Sequence, residues 1–183
     1  LDRQVKESAR RLFGESLQPT AELEPLVADM KEALLALQRA EAYDVHAERM
    51  QQAPHLFDPE VRERLELSAE VRGWQYLRAQ AKQAALKASM ARLFEHYDFL
   101  VSPSVPITAT PVDARQVRVT DQAIDVRAAV LSYTSAWNLT GLPAISLPAG
   151  LVNGMPVGLQ VIGAAGEDDR LLQLIAQRSQ SPR

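Results

Sequence analysis

The sequence of 183 residues contains no cysteine. This absence excludes disulfide bonds, thiol nucleophiles and thiolate metal ligands, and it is typical of proteins that work in a reducing compartment. We therefore expect a cytoplasmic protein. A chain of this length buries roughly 70% of the surface that its unfolded form exposes, so one compact domain is sufficient to hold its core.

Charge and hydropathy exclude further classes of protein. The formal net charge is −3, and the lysines and arginines are spread along the chain, so no basic block indicates a nucleic-acid partner. The least polar run, residues 155–166, is too short and too rich in glycine to cross a bilayer as a helix. Residues 1–8 are charged and cannot form a signal peptide, and because they lack an initiator methionine we expect trimming from a longer chain.

The histidines give no indication of a metal site. His46 and His55 have no metal-ligand spacing with each other or with nearby acidic residues. The sequence therefore predicts neither a metal ion nor another cofactor.

Glycine and proline divide the chain into two parts. Residues 1–97 contain only Gly14 and Gly73, whereas residues 98–166 hold the other six glycines and six of the eleven prolines. This shift indicates helices first, and then strands and turns. The order of elements is a mixed α/β pattern with too few strands for a complete doubly wound sheet.

Local signals predict the individual elements. In the first part they predict helices over residues 2–13, 25–50 and 69–97, another helix after an N-cap at Asp58, and a short strand over 17–23. In the second part they predict strands over 98–102, 144–147 and 157–162, a loop over 103–120, and helices from residue 121 or 125 to 135 and over 167–177. Asp2 is predicted to cap the first helix, Asn153-Gly154 to form a turn, and Pro148 to end strand pairing. The apolar stripe of the helix over 69–97 is predicted to consist of Trp74, Leu77, Ala81, Ala84, Ala85 and Ala88.

Residues 137–160 carry the most specific pattern. They read Trp-Asn-Leu-Thr-Gly-Leu-Pro-Ala-Ile-Ser-Leu-Pro-Ala-Gly, then a short turn, then Gly-Met-Pro-Val-Gly-Leu-Gln. This stretch resembles the C-terminal hallmark of the amidase signature family of serine hydrolases. The positions that carry the resemblance are Asn138, Thr140, Gly141, Pro143, Ser146, Pro148, Gly150, Gly154, Pro156, Gly158 and Gln160. Residues 57–62, 97–106 and 168–176 are also similar to the family, in the expected order.

The resemblance implies a fold and a reaction. The fold is α/β, the C-terminal part of the family's α/β/α sandwich, with a mixed central sheet that is incomplete in this chain. Residues 1–183 then form the C-terminal portion of a single amidase domain. The reaction is hydrolysis of a carbon–nitrogen amide bond by a serine nucleophile, with a second serine joined to it through a cis peptide and a lysine as the base. Backbone N–H groups of a Gly/Ser-rich loop stabilise the oxyanion.

Nothing in this chain matches those catalytic parts, which lie in the family's N-terminal portion. A Gly-Gly-Ser-Ser-Gly-like segment is absent from the sequence. The lysines all lie on predicted amphipathic helices, where a solvated face is their natural environment; they are Lys6, Lys31, Lys82 and Lys87. We therefore assign no catalytic residue and expect the chain alone to be inactive.

By resemblance, the chain supplies part of the sheet and one wall of the acyl pocket. The candidate substrate-pocket residues are Leu131, Tyr133 and Trp137, together with the loop after Ser102; for each aromatic residue, core packing is the alternative. Glutaminase-type members, the A subunits of tRNA-dependent amidotransferases, carry an acidic residue seven positions before the hallmark Asn, where it binds the ammonium group of glutamine. Leu131 occupies that position here, and an apolar side chain leaves the ammonium unpaired, which favours less polar amides.

Other interpretations stay open at this point. A triad of His96, Asp98 and Ser102 or Ser104 is disfavoured, because no Gly-x-Ser-x-Gly elbow surrounds either serine. The chain could instead be a fragment similar to the A subunits of glutamine amidotransferases, or a non-catalytic interaction module. We expect a small-molecule amide as substrate of the full enzyme, no nucleic-acid or membrane partner, and homo-oligomerisation or association through exposed sheet edges.

Overall fold

The computed structural model describes residues 2–119 and 121–179 of the chain. Its helices are α1 (Asp2–Phe13), α2 (Leu23–Gln52), α3 (Pro59–Ser68), α4 (Gly73–Leu93), α5 (Val126–Leu131), α6 (Ser135–Thr140) and α7 (Asp168–Ser179). Its strands are β1 (Leu100–Pro103), β2 (Gln116–Val119), β3 (Gln122–Asp125), β4 (Ala144–Val152) and β5 (Met155–Ile162). No helix in this described part is both long and apolar enough to span a membrane.

A three-stranded sheet in the order β1-β5-β4 forms the centre of the fold, and both of its strand pairs are antiparallel. Because side chains alternate along a strand, β5 contributes to a core on each face. Leu159 and Val161 pack in clusters with residues of α1 and α7, respectively. Ile162 packs in the cluster formed by residues of α2, α4 and α6. The sheet thus lies between two layers of helices, and the predicted α/β fold is confirmed.

The hairpin from β4 to β5 confirms one prediction and corrects another. Asn153 and Gly154 have φ values of 52° and 78°, as a type I′ turn requires. The prediction that Pro148 ends strand pairing is wrong, because pairing continues to Val152. An irregularity follows Pro148, where Gly150 has a φ of 103°. The proline is therefore accommodated beside a bulge, where a missing backbone donor interrupts the ladder without ending it.

The first two helices are predicted correctly, but the strand between them is not. α1 and α2 match the helices predicted over residues 2–13 and 25–50, while the capping role predicted for the Asp2 side chain lies outside what the structure describes. The strand predicted over residues 17–23 is wrong, since residues 17–20 have no regular structure. Leu17 packs instead against the cluster that joins α1 to β5, and Pro19 cannot donate a ladder hydrogen bond.

Asp58 caps α3 as predicted. Its Oδ1 accepts hydrogen bonds from the backbone N–H of Glu60 at 2.9 Å and of Val61 at 3.4 Å. The next helix is shorter than the predicted range of 69–97, because α3 continues to Ser68 and α4 begins only at Gly73.

The prediction of the buried face of α4 is wrong. Trp74 and Leu77, which belong to the predicted apolar stripe, are 51% and 66% exposed, and the four alanines of that stripe are exposed as well. The buried face consists of Ala79, Leu86, Met90 and Leu93. The helix has apolar residues on both faces, and the core takes the face with the larger aliphatic side chains because more apolar area is removed from water there.

The segment between β1 and β4 contains elements that the sequence did not predict. β1 confirms the strand predicted over 98–102, with a shift of its ends. Within and beyond the predicted loop, β2 and β3 form a two-stranded hairpin. The helix predicted from residue 121 or 125 to 135 is observed as α5, which starts after Asp125 and already ends at Leu131. The Asp125 carboxylate caps α5 by accepting from the Ala128 N–H at 2.8 Å. The first residues of the hallmark form α6, which ends at Gly141 with a φ of 70°. A helix of six residues has little stability of its own, so packing of its buried side chains decides its formation.

Candidate functional site

A cavity of about 910 Å³ lies between α2 and the segment formed by α5 and α6. Leu34, Val45 and His46 line it from α2, Leu131, Tyr133 and Asn138 line it from the α5–α6 segment, and Gln83 contributes from α4. Just over half of the lining residues are aliphatic or aromatic, and the polar ones include Glu41, Asp125 and Arg127. Large, mainly apolar cavities with a few polar groups are the usual form of small-molecule sites.

Leu131 lies at the end of α5, on the wall of this cavity, and is half-buried. Its carbonyl oxygen accepts a 2.7 Å hydrogen bond from the hydroxyl of Ser135 and a 3.3 Å bond from the Thr134 N–H. These bonds close the turn between α5 and α6. Residues at the start of α6 therefore hold the backbone of Leu131 in place.

Tyr133 lies in that same turn and also lines the cavity, with 37% of its surface exposed. Its carbonyl oxygen accepts a 2.8 Å hydrogen bond from Nε2 of Gln160, a residue of β5 that is 2% exposed. The central strand thus holds the cavity wall directly.

The loop after Ser102 is attached to the same strand. Nε2 of Gln160 also donates to Ser102 Oγ at 2.9 Å and to the Pro103 carbonyl at 3.1 Å. The Ser104 N–H donates to the Gly158 carbonyl at 3.0 Å, and the Ser104 hydroxyl lies 3.1 Å from that of Ser146. These contacts hold the loop to the sheet, but they bring no base to either serine hydroxyl.

Trp137 occupies a different place from the other two candidates. It is 4% exposed, belongs to the core cluster with residues of α2 and α4, and is not among the residues that line the cavity. Its indole Nε1 has no hydrogen-bond partner among the described residues. Its neighbours Ala136 and Leu139 do line the cavity, so Trp137 supports the wall from the core side.

Asn138 is a cavity residue that the sequence reasoning missed. The sequence indicates a turn former at this position, whereas Asn138 lies on α6, is exposed and lines the cavity. No local signal shows this, because the turn at residues 132–134 separates α5 from α6 and sets which face of α6 meets the cavity.

Three of the other polar lining residues, Glu41, His46 and Asp125, make structural contacts, and Asp125 is the cap of α5. Glu41 accepts a 3.4 Å hydrogen bond from the Tyr76 hydroxyl, and the ring of His46 lies edge-on to Phe57 at 5.9 Å. Across residues 2–119 and 121–179, no group of three or more histidine and acidic side chains could hold a metal ion.

Asp98, one member of the disfavoured triad, forms an ion pair with Arg170 of α7. Hydrogen bonds to Glu167 and Asp98 raise the pKa of Arg170 above its usual value, because they stabilise the charged guanidinium. The carboxylate of Asp98 thereby links the start of β1 to α7, which is a structural role.

Comparison with known proteins gives a consistent family. A model of the family described as Amidase matches residues 19–172. The chain is 44% identical over 98 residues to the A subunit of the glutamyl-tRNA(Gln) amidotransferase of Thermus thermophilus, covering 54% of this chain and 20% of that protein. It is 34% identical over 165 residues to the protein of the same name from Desulforamulus reducens, covering 85% and 32%. The chain therefore spans about a fifth to a third of the length of these curated relatives.

Solved structures agree with this result. The crystal structure of an amidase superposes with a TM-score of 0.80 at 28% identity, covering 96% of this chain and 42% of that one. A 6-aminohexanoate cyclic dimer hydrolase superposes with a TM-score of 0.67 at 21% identity, covering 98% and 41%. The second likeness shows a shared fold alone.

Proposed function

Because the chain belongs to the Amidase family, we propose that it is the C-terminal portion of an enzyme that hydrolyses a carbon–nitrogen amide bond. In this proposal a serine nucleophile, a second serine and a lysine base lie outside these residues. The lysines of the chain support it: Lys6 is on α1, Lys31 on α2, and Lys82 and Lys87 on α4, and Lys82 lies 3.6 Å from Glu32. Lys6, Lys82 and Lys87 are not among the residues that line the cavity.

The proposed role of the chain is to form one wall of the acyl pocket. The observation that carries this proposal is the mainly apolar cavity of about 910 Å³ whose wall includes both Leu131 and Tyr133. In this proposal these two side chains contact the acyl group of the substrate, while Trp137 holds α6 in place from the core.

The proposed substrates are amides with an apolar acyl group. Leu131 itself offers no charge to an ammonium group, and burying an ammonium without a partner is costly. Glu41 and Asp125 also line the cavity, but Glu41 accepts a hydrogen bond from Tyr76 and Asp125 caps α5. A second candidate, glutamine as the ammonia donor, is favoured by the names of the curated relatives, which are amidotransferase A subunits. The two candidate substrates require different side chains at position 131. The relative affinity of the chain for an apolar amide and for glutamine therefore distinguishes them.

The affinity test uses the 183-residue chain and two amides. Isothermal titration with 4-fluorophenylacetamide and with glutamine gives the two dissociation constants. We expect the aromatic amide to bind at least about tenfold more tightly than glutamine, a difference of about 1.4 kcal/mol. Tighter binding of glutamine would support the second candidate and refute the first.

The activity test addresses the proposed location of the catalytic residues. The purified chain is expected to show no hydrolysis of either amide. If hydrolysis occurs and persists in the Ser102→Ala and Ser104→Ala variants, it indicates a contaminating enzyme. If it is lost in either variant, the chain contains its own nucleophile and the proposal is wrong.

The edge of the central sheet offers a surface for association with another chain. β4 is an edge strand without a second partner strand among the described residues, and Ala144 and Ser146 of β4 are exposed. We propose homo-oligomerisation or association through this edge. A cytoplasmic location stays a prediction from the absence of cysteine.

A further inference from the structure

Gln160 is a buried amide in the middle of the sheet. It is 2% exposed, and in the strand register it lies between Ser102 of β1 and Ser146 of β4. Burial of an amide is costly unless its hydrogen bonds are made. An apolar side chain would fill this core position without that cost, so the amide has to be explained by its partners.

The three acceptors of its amide group lie in two separate parts of the chain. Nε2 lies 2.9 Å from Ser102 Oγ, 3.1 Å from the Pro103 carbonyl and 2.8 Å from the Tyr133 carbonyl. An amide NH₂ has two hydrogens, so they are shared among three acceptors. The first two acceptors are at the end of β1, and the third is in the turn between α5 and α6.

The bond to Tyr133 ties this turn to the sheet. The other hydrogen bonds of the turn stay within the segment: Ser135 and Thr134 donate to the Leu131 carbonyl, and Ser132 donates to the Ala129 carbonyl. Gln83 of α4 donates to Leu139 at 2.8 Å, but Leu139 lies on α6, beyond the turn. Gln160 therefore connects the turn to the end of β1 and to β5.

We infer that Gln160 is a positioning residue for the substrate pocket. It acts through Tyr133, whose backbone it holds while the side chain lines the cavity, and it fixes the adjacent Leu131 indirectly. This inference rests on the proposed function of the cavity as the acyl pocket. It adds a determinant of affinity that lies on the central strand and does not itself line the cavity.

The test compares Gln160→Met with Ser8→Ala. Methionine keeps the approximate size of the glutamine side chain but donates no hydrogen bond. Ser8 is a matched control because it is 3% exposed and donates a buried 2.7 Å hydrogen bond to the Ala149 carbonyl, on the face of the sheet that α1 covers. Gln160→Met loses the three hydrogen-bond contacts of a buried amide and Ser8→Ala loses one donated bond, and only the Gln160 contacts reach a residue that lines the cavity, Tyr133.

The measurements are the melting temperature and the dissociation constant for 4-fluorophenylacetamide. Gln160→Met is expected to weaken binding by about tenfold or more, whereas Ser8→Ala lowers the melting temperature and leaves the dissociation constant within about twofold of the original. In a Tyr133→Ala background the Gln160→Met substitution is expected to have a smaller effect on binding, because coupled residues are not additive. If Gln160→Met fails to fold, Gln160→Asn replaces it in the same comparison, because the shorter asparagine side chain cannot reach both the end of β1 and the Tyr133 carbonyl.

The outcomes separate this inference from the proposed function. If the original chain binds no 4-fluorophenylacetamide, the pocket itself is wrong and the inference fails with it. If the chain binds the amide and the Gln160 variants bind it equally well, the proposed pocket stands and the positioning role of Gln160 is refuted. Additive effects of Gln160→Met and Tyr133→Ala would also refute action through Tyr133.

Discussion

The hydroxyl of Ser135 donates a 2.7 Å hydrogen bond to the carbonyl oxygen of Leu131, four residues earlier. This bond joins the first residue of α6 to the last residue of α5. It fixes the backbone of a side chain that lines the cavity. A substitution at Leu131 therefore changes the chemistry of the wall at a defined place, which makes this residue suitable for testing substrate preference.

Leu131→Asp is expected to reverse the ligand preference of the cavity, from the apolar amide to glutamine. A carboxylate at this position can pair with the ammonium group of glutamine, whereas it places an unpaired charge beside an apolar acyl group. We expect glutamine to bind about tenfold more tightly and 4-fluorophenylacetamide about tenfold more weakly, each about 1.4 kcal/mol by titration calorimetry. Leu131→Asn is the control, since it has the same shape as the aspartate without its charge. Equal effects of the two variants would show that charge at this position does not select the ligand.

The corrected face of α4 gives a prediction about stability. Leu86 is 5% exposed and Leu77 is 66% exposed on the same helix. Leu86→Ala is expected to lower the free energy of unfolding by about 2–5 kcal/mol, because it leaves a cavity in the core. Leu77→Ala is expected to change it by less than about 0.5 kcal/mol. Urea denaturation measures both free energies of unfolding. A larger decrease for Leu77→Ala than for Leu86→Ala would show that the apolar stripe predicted from the sequence is the buried face of α4.

The edge of the sheet gives a prediction about association. Exposed edge strands pair with other chains unless charge or a covering element prevents it. The chain is expected to form dimers or larger species in light scattering, and Ala144→Lys on β4 is expected to shift them toward monomer. Leu77→Lys places the same charge on the exposed face of α4 and distinguishes the strand edge from that helix. A monodisperse, cooperatively melting monomer at every concentration would contradict the proposed association.

Long-range packing explains which parts of the fold the sequence could predict. Asn153-Gly154 and the Asp58 cap are local signals, and both are confirmed because their geometry depends on neighbouring residues alone. The inward face of α4 could not be chosen, since both faces of that helix are apolar and only its contacts with α2 and α6 decide between them. α6 and the β2–β3 hairpin are short elements, and tertiary contacts outweigh local propensity there.

The candidate site, too, could be predicted from the sequence only where tertiary contacts do not decide its geometry. The resemblance identifies Leu131, and this residue lines the cavity together with Tyr133. Whether Trp137 would face the cavity or the core depends on the rotation of α6, which the sequence did not predict. The sequence shows Gln160 only as part of a pattern, because its three acceptors are 27 to 58 residues away. The opposite wall, on α2, carries no motif that could have been recognised.

A substitution that fills the cavity tests most directly whether the cavity binds the amide. Ala42 of α2 lines it and is half-buried, whereas Ala84 of α4 is exposed on the opposite side of its helix from the core. Titration of 4-fluorophenylacetamide is therefore compared among the original chain, Ala42→Phe and Ala84→Phe. We expect the original chain and Ala84→Phe to bind the amide equally and Ala42→Phe to bind it at least about tenfold more weakly. Equal binding by all three proteins would show that this cavity does not receive the amide.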